Sequence, residues 1–300
     1  NKEKNKILCL GGDLKNTFAV VPNNHVYISE YIGDLANFET YERFENTVKS
    51  YQKIFNFEPE IILKDLHPKY ENQNIISRFE KKSAQSAKST RVEKIQHHKA
   101  HFASILGEKK LWKKDKVLGI IWDGIGFGTS TEIWGGEFFL FENKRIKRVG
   151  QLENFAWILG DKMSKSPKIS ALSISDNNED LKFAFDENEW KIYTQLIEKS
   201  EVKTSSMGRF FDAVSFVLGY EKPIFFEGES AMWLEKISQE KFPTDFTDFH
   251  RLKDYLKNDE FENIPTKKLF SRILKEKMSG KNAGEIGLNF HYTLIKAIEK

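Results

Sequence analysis

The chain has 300 residues, 39% of them hydrophobic and 30% charged, enough apolar material for two lobes rather than one small core and enough charge for a wetted surface. Lys and Arg number 47 against 44 Asp and Glu, so the net charge of +3 makes no case for a nucleic-acid partner, and Lys81-Lys82 and Lys113-Lys114 read as solvated faces. One cysteine excludes an internal disulfide, and apolar runs such as 117–122 are far too short to span a bilayer.

A reducing, cytoplasmic setting without membrane contact is therefore the expectation. The chain opens at Asn1 with no initiator Met and no signal peptide before its first strand, and reads as an excised piece of a longer protein. Residues 7–10 form a short apolar strand that holds Cys9 as an inert core thiol and ends in Gly11-Gly12-Asp13. Residues 18–21 and 25–29 flank Pro22-Asn23-Asn24 as a hairpin. Phe38, Tyr41, Phe44, Val48, Tyr51 and Phe55 recur near helical spacing, which predicts an amphipathic helix over 38–55. A buried strand at 61–63 runs into Asp65-Leu66-His67-Pro68, a polar helix follows near 75–83, and a strand at 92–95 feeds Gln96-His97-His98-Lys99-Ala100-His101. Residues 98–108 are helical in pattern, 117–122 form a strand ending in Asp123-Gly124, and 137–141 with 145–152 form a hairpin. The first lobe, 1–155, is mixed α/β. The second, 156–300, is helix-rich, with helices over 190–199, 208–218, 230–239, 269–278 and 285–300. Acidic stretches near 176–180 and 245–262 read as surface insertions.

His97 and His101 stand four apart at the start of a helix, so both imidazoles reach one side and can share a metal ion. The alternative for such a pair is a surface or helix-capping role. His98 points to another face. Asp123 closes a strand at its carboxyl end, where α/β proteins place ligands, and can supply a third metal ligand. Gly124, Gly126 and Gly128, followed by Thr129, let backbone amides approach a phosphate; an ordinary glycine-rich turn is the other reading. Gly11, Gly12, Asp13, Lys15, Asn16 and Thr17 form a second phosphate-loop candidate, with Lys15 as cation and Thr17 as hydroxyl, or else a β-turn with a surface lysine. Ser206 can cap a helix that carries Gly208 and, one turn in, Asp212. Glu227 and Gly228 open another helix whose small residues suit a nucleotide, whereas Phe210, Phe211, Val214 and Val217 have core spacing.

Taken together, Gly-Gly-Asp-Leu-Lys-Asn-Thr-Phe (11–18), Asp-Leu-His-Pro (65–68), Gln-His-His-Lys-Ala-His (96–101), Asp-Gly-Ile-Gly-Phe-Gly-Thr (123–129), Ile-Trp-Gly-Gly-Glu-Phe (133–138), Ser-Ser-Met-Gly-Arg-Phe-Phe-Asp (205–212) and Glu-Gly-Glu-Ser-Ala-Met (227–232) occur in the order and spacing of HypF, a carbamoyltransferase family of NiFe-hydrogenase maturation. The chain resembles the carboxyl-terminal module of that family over nearly its whole length. The resemblance implies an actin-like (ASKHA, TsaD-like) α/β fold in two lobes, the second mainly helical and truncated.

It also implies a function: binding of carbamoyl-adenylate, made from ATP and carbamoyl phosphate in the full-length protein, and transfer of the carbamoyl group to the carboxyl-terminal cysteine of a HypE-like partner. In the family the histidine pair and a following Asp bind a metal, which maps the catalytic and metal roles onto His97, His101 and Asp123; the nucleotide contacts map onto 124–129, Asp212 and Gly228. Imidazole and carboxylate donors suit zinc or iron, with magnesium a third option. Ile125 and Phe127 stand where the family usually has Thr and Tyr, Ser130 and Glu132 differ as well, and an expected arginine is missing at Pro167-Lys168-Ile169. The family's Ser-Gly-Gly loop and a further Asp are expected outside this chain. Two alternatives stay open: an O-carbamoyltransferase acting on a small molecule, and a catalytically weakened scaffold that docks a partner.

Overall fold

Leu8 is fully buried between half-buried Ile7 and Cys9, the alternation of a strand with one face on a core. In the computed structural model, which describes residues 5–79, 90–129, 131–175, 179–241 and 251–300, the chain divides into two compact units, Asn1–Ala100 and His101–Lys300.

In the first unit β1 (Ile7–Cys9), β2 (Ala19–Val21) and β3 (Tyr27–Ile28) form an antiparallel meander. Helix α1 (Phe38–Ile54) starts at Asn37, whose side chain accepts from the Thr40 amide at 3.2 Å. It buries Phe44 and Val48, one turn apart, and the Phe44 ring meets Phe18 edge-on at 5.8 Å. β4 (Ile61–Asp65) and β5 (Arg91–Ile95) then add in parallel, giving the order β3-β2-β1-β4-β5. The helix expected near 75–83 begins with a 3₁₀ turn at Glu71–Ile75; from residue 80 it lies outside the described residues. Burial pushes the Cys9 thiol up, which suits an inert side chain.

Helix α2 (His97–Glu108) crosses the division between the units. In the second unit β6 (Lys116–Phe127), β7 (Ile133–Glu142) and β8 (Arg145–Gln151) are antiparallel neighbours. Asn143 and Lys144 both have positive φ, 51° and 59°, which is what a two-residue hairpin turn of matching twist requires. β9 (Phe155–Ala156) and β10 (Lys203–Thr204) extend the sheet in the order β6-β7-β10-β9. The Phe102 ring of α2 lies where a Cβ at Gly119 would sit and stacks on Phe139 at 6.2 Å.

Helices supply the rest: α3 (Asp161–Lys165), α4 (Pro167–Ile174), α5 (Glu187–Lys199), α6 (Met207–Leu218), α7 (Glu229–Gln239), α8 (Thr266–Met278) and α9 (Ala283–Glu299). Their core centres on α6, where Phe210, Ala213 and Val214 are fully buried and Phe210 meets Phe290 edge-on at 5.3 Å. Among the described residues no helix is long and apolar enough to cross a membrane.

The acidic stretch 245–262 is no simple surface insertion over its described part. Tyr255 and Leu256 are buried, the Tyr255 hydroxyl donates to Glu276 at 2.6 Å, and Asp259 binds Arg272 at 2.5 Å. The described part of 176–180, Glu179 and Asp180, starts a 3₁₀ turn. At Glu276 burial alone would raise the carboxyl pKa, but hydrogen bonds from Lys253, Lys281 and Tyr255 outweigh it and hold the pKa at about 2. The folded pKa is lowered, so this stabilisation is present above the ordinary carboxylate value near 4.5 and fades as pH falls toward 2. Glu276→Gln should therefore lower the melting temperature at pH 7 and flatten the acid limb of a stability–pH curve; an unchanged acid limb would refute the assignment.

Candidate metal and nucleotide centre

Gln96 sets the start of α2: its side chain accepts from the Lys99 amide at 2.9 Å and its carbonyl from Ala100 at 3.0 Å. His97 and His101 follow one turn apart, and one continuous helix sets their spacing. His98 lies elsewhere, fully buried, with Nδ1 3.2 Å from Gln96 Nε2. His97 Nδ1 lies 2.8 Å from Asp65 Oδ2, at the end of β4.

Asp123 stands where β6 loses register. Trp122 pairs with Gly136 and Gly126 with Trp134, so Asp123, Gly124 and Ile125 together face Gly135 alone. Such a bulge re-aims side chains. Here Asp123 Oδ1 accepts from the Gly124 amide at 2.6 Å, and Oδ2 lies 3.7 Å from His101 Nε2. His97, His101 and Asp123 each offer one ligand atom, all within 4.8 Å of one another. Donors about 2.1 Å from a tetrahedral ion lie roughly 3.4 Å apart, so the 3.7 Å pair needs little adjustment. Two nitrogens and an oxygen fit zinc or iron; magnesium prefers oxygen throughout. The His101 side chain is 52% exposed, which leaves one side open, as reactive rather than structural sites require.

Residues 123–129 are thus a bulged strand end followed by a tight turn. Gly126 pairs within the strand, the Gly128 amide donates to the Glu132 carbonyl at 3.0 Å, and Thr129 is exposed beyond it. Sequence alone does not show this because the bulge exists only against β7. The bulge also receives the start of α6. The Ser206 hydroxyl, which caps α6 through the Arg209 amide at 3.0 Å, donates to the Gly124 carbonyl. A Cβ on Gly208 would lie 2.9 Å from Gly124 Cα, and one on Gly135 would lie 2.7 Å from the Asp123 carbonyl oxygen. Gly208→Ala should therefore cost about 1–3 kcal/mol by overpacking; wild-type urea stability in that variant would show that the contact yields freely.

Beneath the bulge, fully buried Glu137 accepts from the Gly135 and Gly136 amides at 3.2 and 3.3 Å, from Ser205 Oγ at 2.5 Å and from Arg148 Nε. Arg148 also lies 3.9 Å over the Trp134 ring. Glu137 and Asp65 stand in sequence motifs that by themselves assign neither a role; a carboxylate closing a strand, the clue used for Asp123, also marks Asp65.

Several predicted residues have work inside the protein. Asp13 accepts from the Glu71 and Asn72 amides at 2.5 and 3.1 Å, the job of a helix-start carboxylate. Burial raises its pKa against those bonds. Buried Asn16 donates to the Leu10 and Gly12 carbonyls at 3.0 and 2.5 Å, and Asn72 donates to Gly11 at 3.0 Å, so residues 10–16 are tied down as a rigid turn. Lys15 and Thr17 are exposed on it, and the Lys15 amide donates to Asp34. Asp212 is buried, with one oxygen on Arg209 Nε at 2.6 Å and the other accepting from Ser230 Oγ. Burial raises its pKa and Arg209 opposes that. One oxygen therefore bonds within α6 and the other joins α6 to α7. Glu227 and Gly228 are exposed, with Gly228 at φ 82° before α7. Ile169 is fully buried, so its position offers no side chain to solvent.

These features define a two-unit α/β protein with a histidine–histidine–carboxylate centre at a strand end. Residues 119–300 match the family model described as Carbamoyltransferase, Kae1-like domain, second subdomain, and residues 2–108 match the HypF Kae1-like domain. The carbamoyltransferase HypF of Synechocystis is 30% identical over 266 residues, covering 79% of this chain and 33% of that protein. A probable carbamoyltransferase HypF of Methanocaldococcus jannaschii is 30% identical over 271 residues, covering 86% and 34%. The crystal structure of a full-length HypF in its phosphate- and nucleotide-bound form superposes with TM-score 0.80 at 29% identity, covering 99% of this chain and 38% of that one. HypF of T. kodakarensis gives TM-score 0.80 at 27% identity, covering 98% and 39%. The chain belongs to the HypF family, and the actin-like α/β fold expected from the sequence is borne out. It spans about a third of the length of the relatives it matches.

Proposed function

We propose that this chain is the carbamoyl-transfer module of a NiFe-hydrogenase maturation protein. In this reading it binds carbamoyl-adenylate, produced with ATP by the whole protein, and delivers the carbamoyl group to the carboxyl-terminal cysteine of a HypE-like partner. The observation that carries the reading is the His97–His101–Asp123 centre, supported by the names of the relatives.

A zinc or iron ion held there would supply Lewis acidity toward a carbamoyl or phosphoryl oxygen. The start of α6 lies against Gly124, so its N-terminal dipole favours an adenylate phosphate beside the bulge. Gly208 contributes by bringing that helix close; Asp212 holds α6 to α7 behind it. The partner's thiolate attacks the carbamoyl carbon, a C–S bond forms, the C–O bond to phosphate breaks and AMP leaves with the electron pair. Cys9 takes no part.

The test uses the full-length protein, carbamoyl-adenylate and a HypE-like acceptor ending in Cys or in Ser. Mass spectrometry should find the carbamoyl adduct on the Cys acceptor alone. Chelation should abolish it and added zinc or iron restore it. Equal transfer after exhaustive metal removal would defeat the proposal, and transfer only to small hydroxyl compounds would favour the O-carbamoyltransferase reading instead.

A further inference from the structure

Asp65 belongs to no ligand set described above, yet its geometry is tied to one. We infer that Asp65 is a positioning residue for His97: its carboxylate fixes the imidazole so that Nε2 is presented to the metal. This rests on the metal-centre reading of the preceding subsection.

The contact is built from rigid parts. Asp65 pairs with Ile95 across the parallel β4–β5 ladder, and the Leu66 amide donates to the Ile95 carbonyl at 3.1 Å. His97 follows Ile95 by two residues, at the first position of α2. Sheet register and helix start therefore set the Asp65–His97 distance before any ion binds. The carboxylate is also locked in rotation: Oδ1 accepts from the His67 amide at 2.8 Å while Oδ2 meets His97 Nδ1 at 2.8 Å. Side-chain exposure is 8% for Asp65 and 22% for His97, so water competes weakly for the bond.

The consequence follows from imidazole chemistry. A neutral ring that donates through Nδ1 has its lone pair on Nε2, and a carboxylate acceptor makes that nitrogen a better donor to a metal. A simpler role is the ordinary benefit of an acid beside a helix start. That role predicts a change in stability alone, with metal properties untouched.

The experiment compares the full-length wild type with Asp65→Ala, Asp65→Asn and His101→Ala. Zn²⁺ affinity is read by chelator competition, and Co²⁺ by its visible absorption at saturating metal. Asp65→Ala should bind Zn²⁺ about 10–100-fold more weakly and alter the Co²⁺ band. Asp65→Asn keeps one carbonyl oxygen, which can accept from the ring or from the His67 amide but not from both, so it should bind Zn²⁺ with an affinity between those of the wild type and the Ala variant, and it carries the test if the Ala variant folds poorly. Wild-type Zn²⁺ affinity and Co²⁺ spectrum in Asp65→Ala, or in Asp65→Asn where the Ala variant does not fold, overturns the role of Asp65. Wild-type affinity in His101→Ala overturns the metal centre itself, which separates the two failures.

Discussion

Replacing Glu137 by Ala should destabilise the protein by about 3–5 kcal/mol, the range for removing one partner of a buried ion pair. The loss is large because four donors depend on one carboxylate: two backbone amides, Ser205 Oγ and Arg148 Nε. Each buried donor left unsatisfied costs roughly 1–3 kcal/mol. Relief is partial, since Arg148 retains Trp134 beneath it and Glu132 at 3.6 Å. Against a total stability of about 5–15 kcal/mol, such a change removes much of the folded population. Glu137→Gln keeps an acceptor and should lose clearly less. Urea unfolding measures both, and a loss under about 1 kcal/mol for the Ala variant would show that water or backbone movement replaces the carboxylate.

Asp123→Ala should abolish stable metal binding, a larger loss than the ~10–100-fold expected from an outer contact, because it removes one of the three proposed protein ligands. It also releases the amide of Gly124, the residue whose carbonyl accepts from Ser206 at the start of α6, so in the proposed function nucleotide affinity should fall with metal content. Asp123→Asn retains an acceptor for that amide but not the charge. It should therefore spare nucleotide binding more than metal binding. Calorimetry with an adenylate analogue and metal analysis of the purified variants give the two readouts. Unchanged metal content in Asp123→Ala would remove this residue from the ligand set.

Much of the architecture was legible before the fold. The 38–55 periodicity became α1 over Phe38–Ile54, and the hairpin around Glu142-Asn143 became β7 and β8. Both signals are local: a helix repeats every few residues, and a strand with one buried face alternates. Histidines four apart on a helix are equally local, because helix geometry alone places them on one side.

What the sequence concealed depends on partners far along the chain. Seven residues from Asp123 to Thr129 read as a glycine loop, and only pairing with β7 makes their first part a bulge. Asp13 and Asp212 also accept hydrogen bonds from Asn72 and Ser230, which are distant in sequence and which no local pattern announces. Glu137 and Asp65 stood in recognisable motifs but without a role, since a carboxylate in a sequence says nothing of its acceptor geometry. The sequence by itself determined the elements, their order and the residue types able to hold a metal, because those follow from short-range stereochemistry and donor chemistry. Only the tertiary structure decided which carboxylates are already satisfied inside the protein, because burial obliges each to find its donors and those donors lie up to tens of residues away.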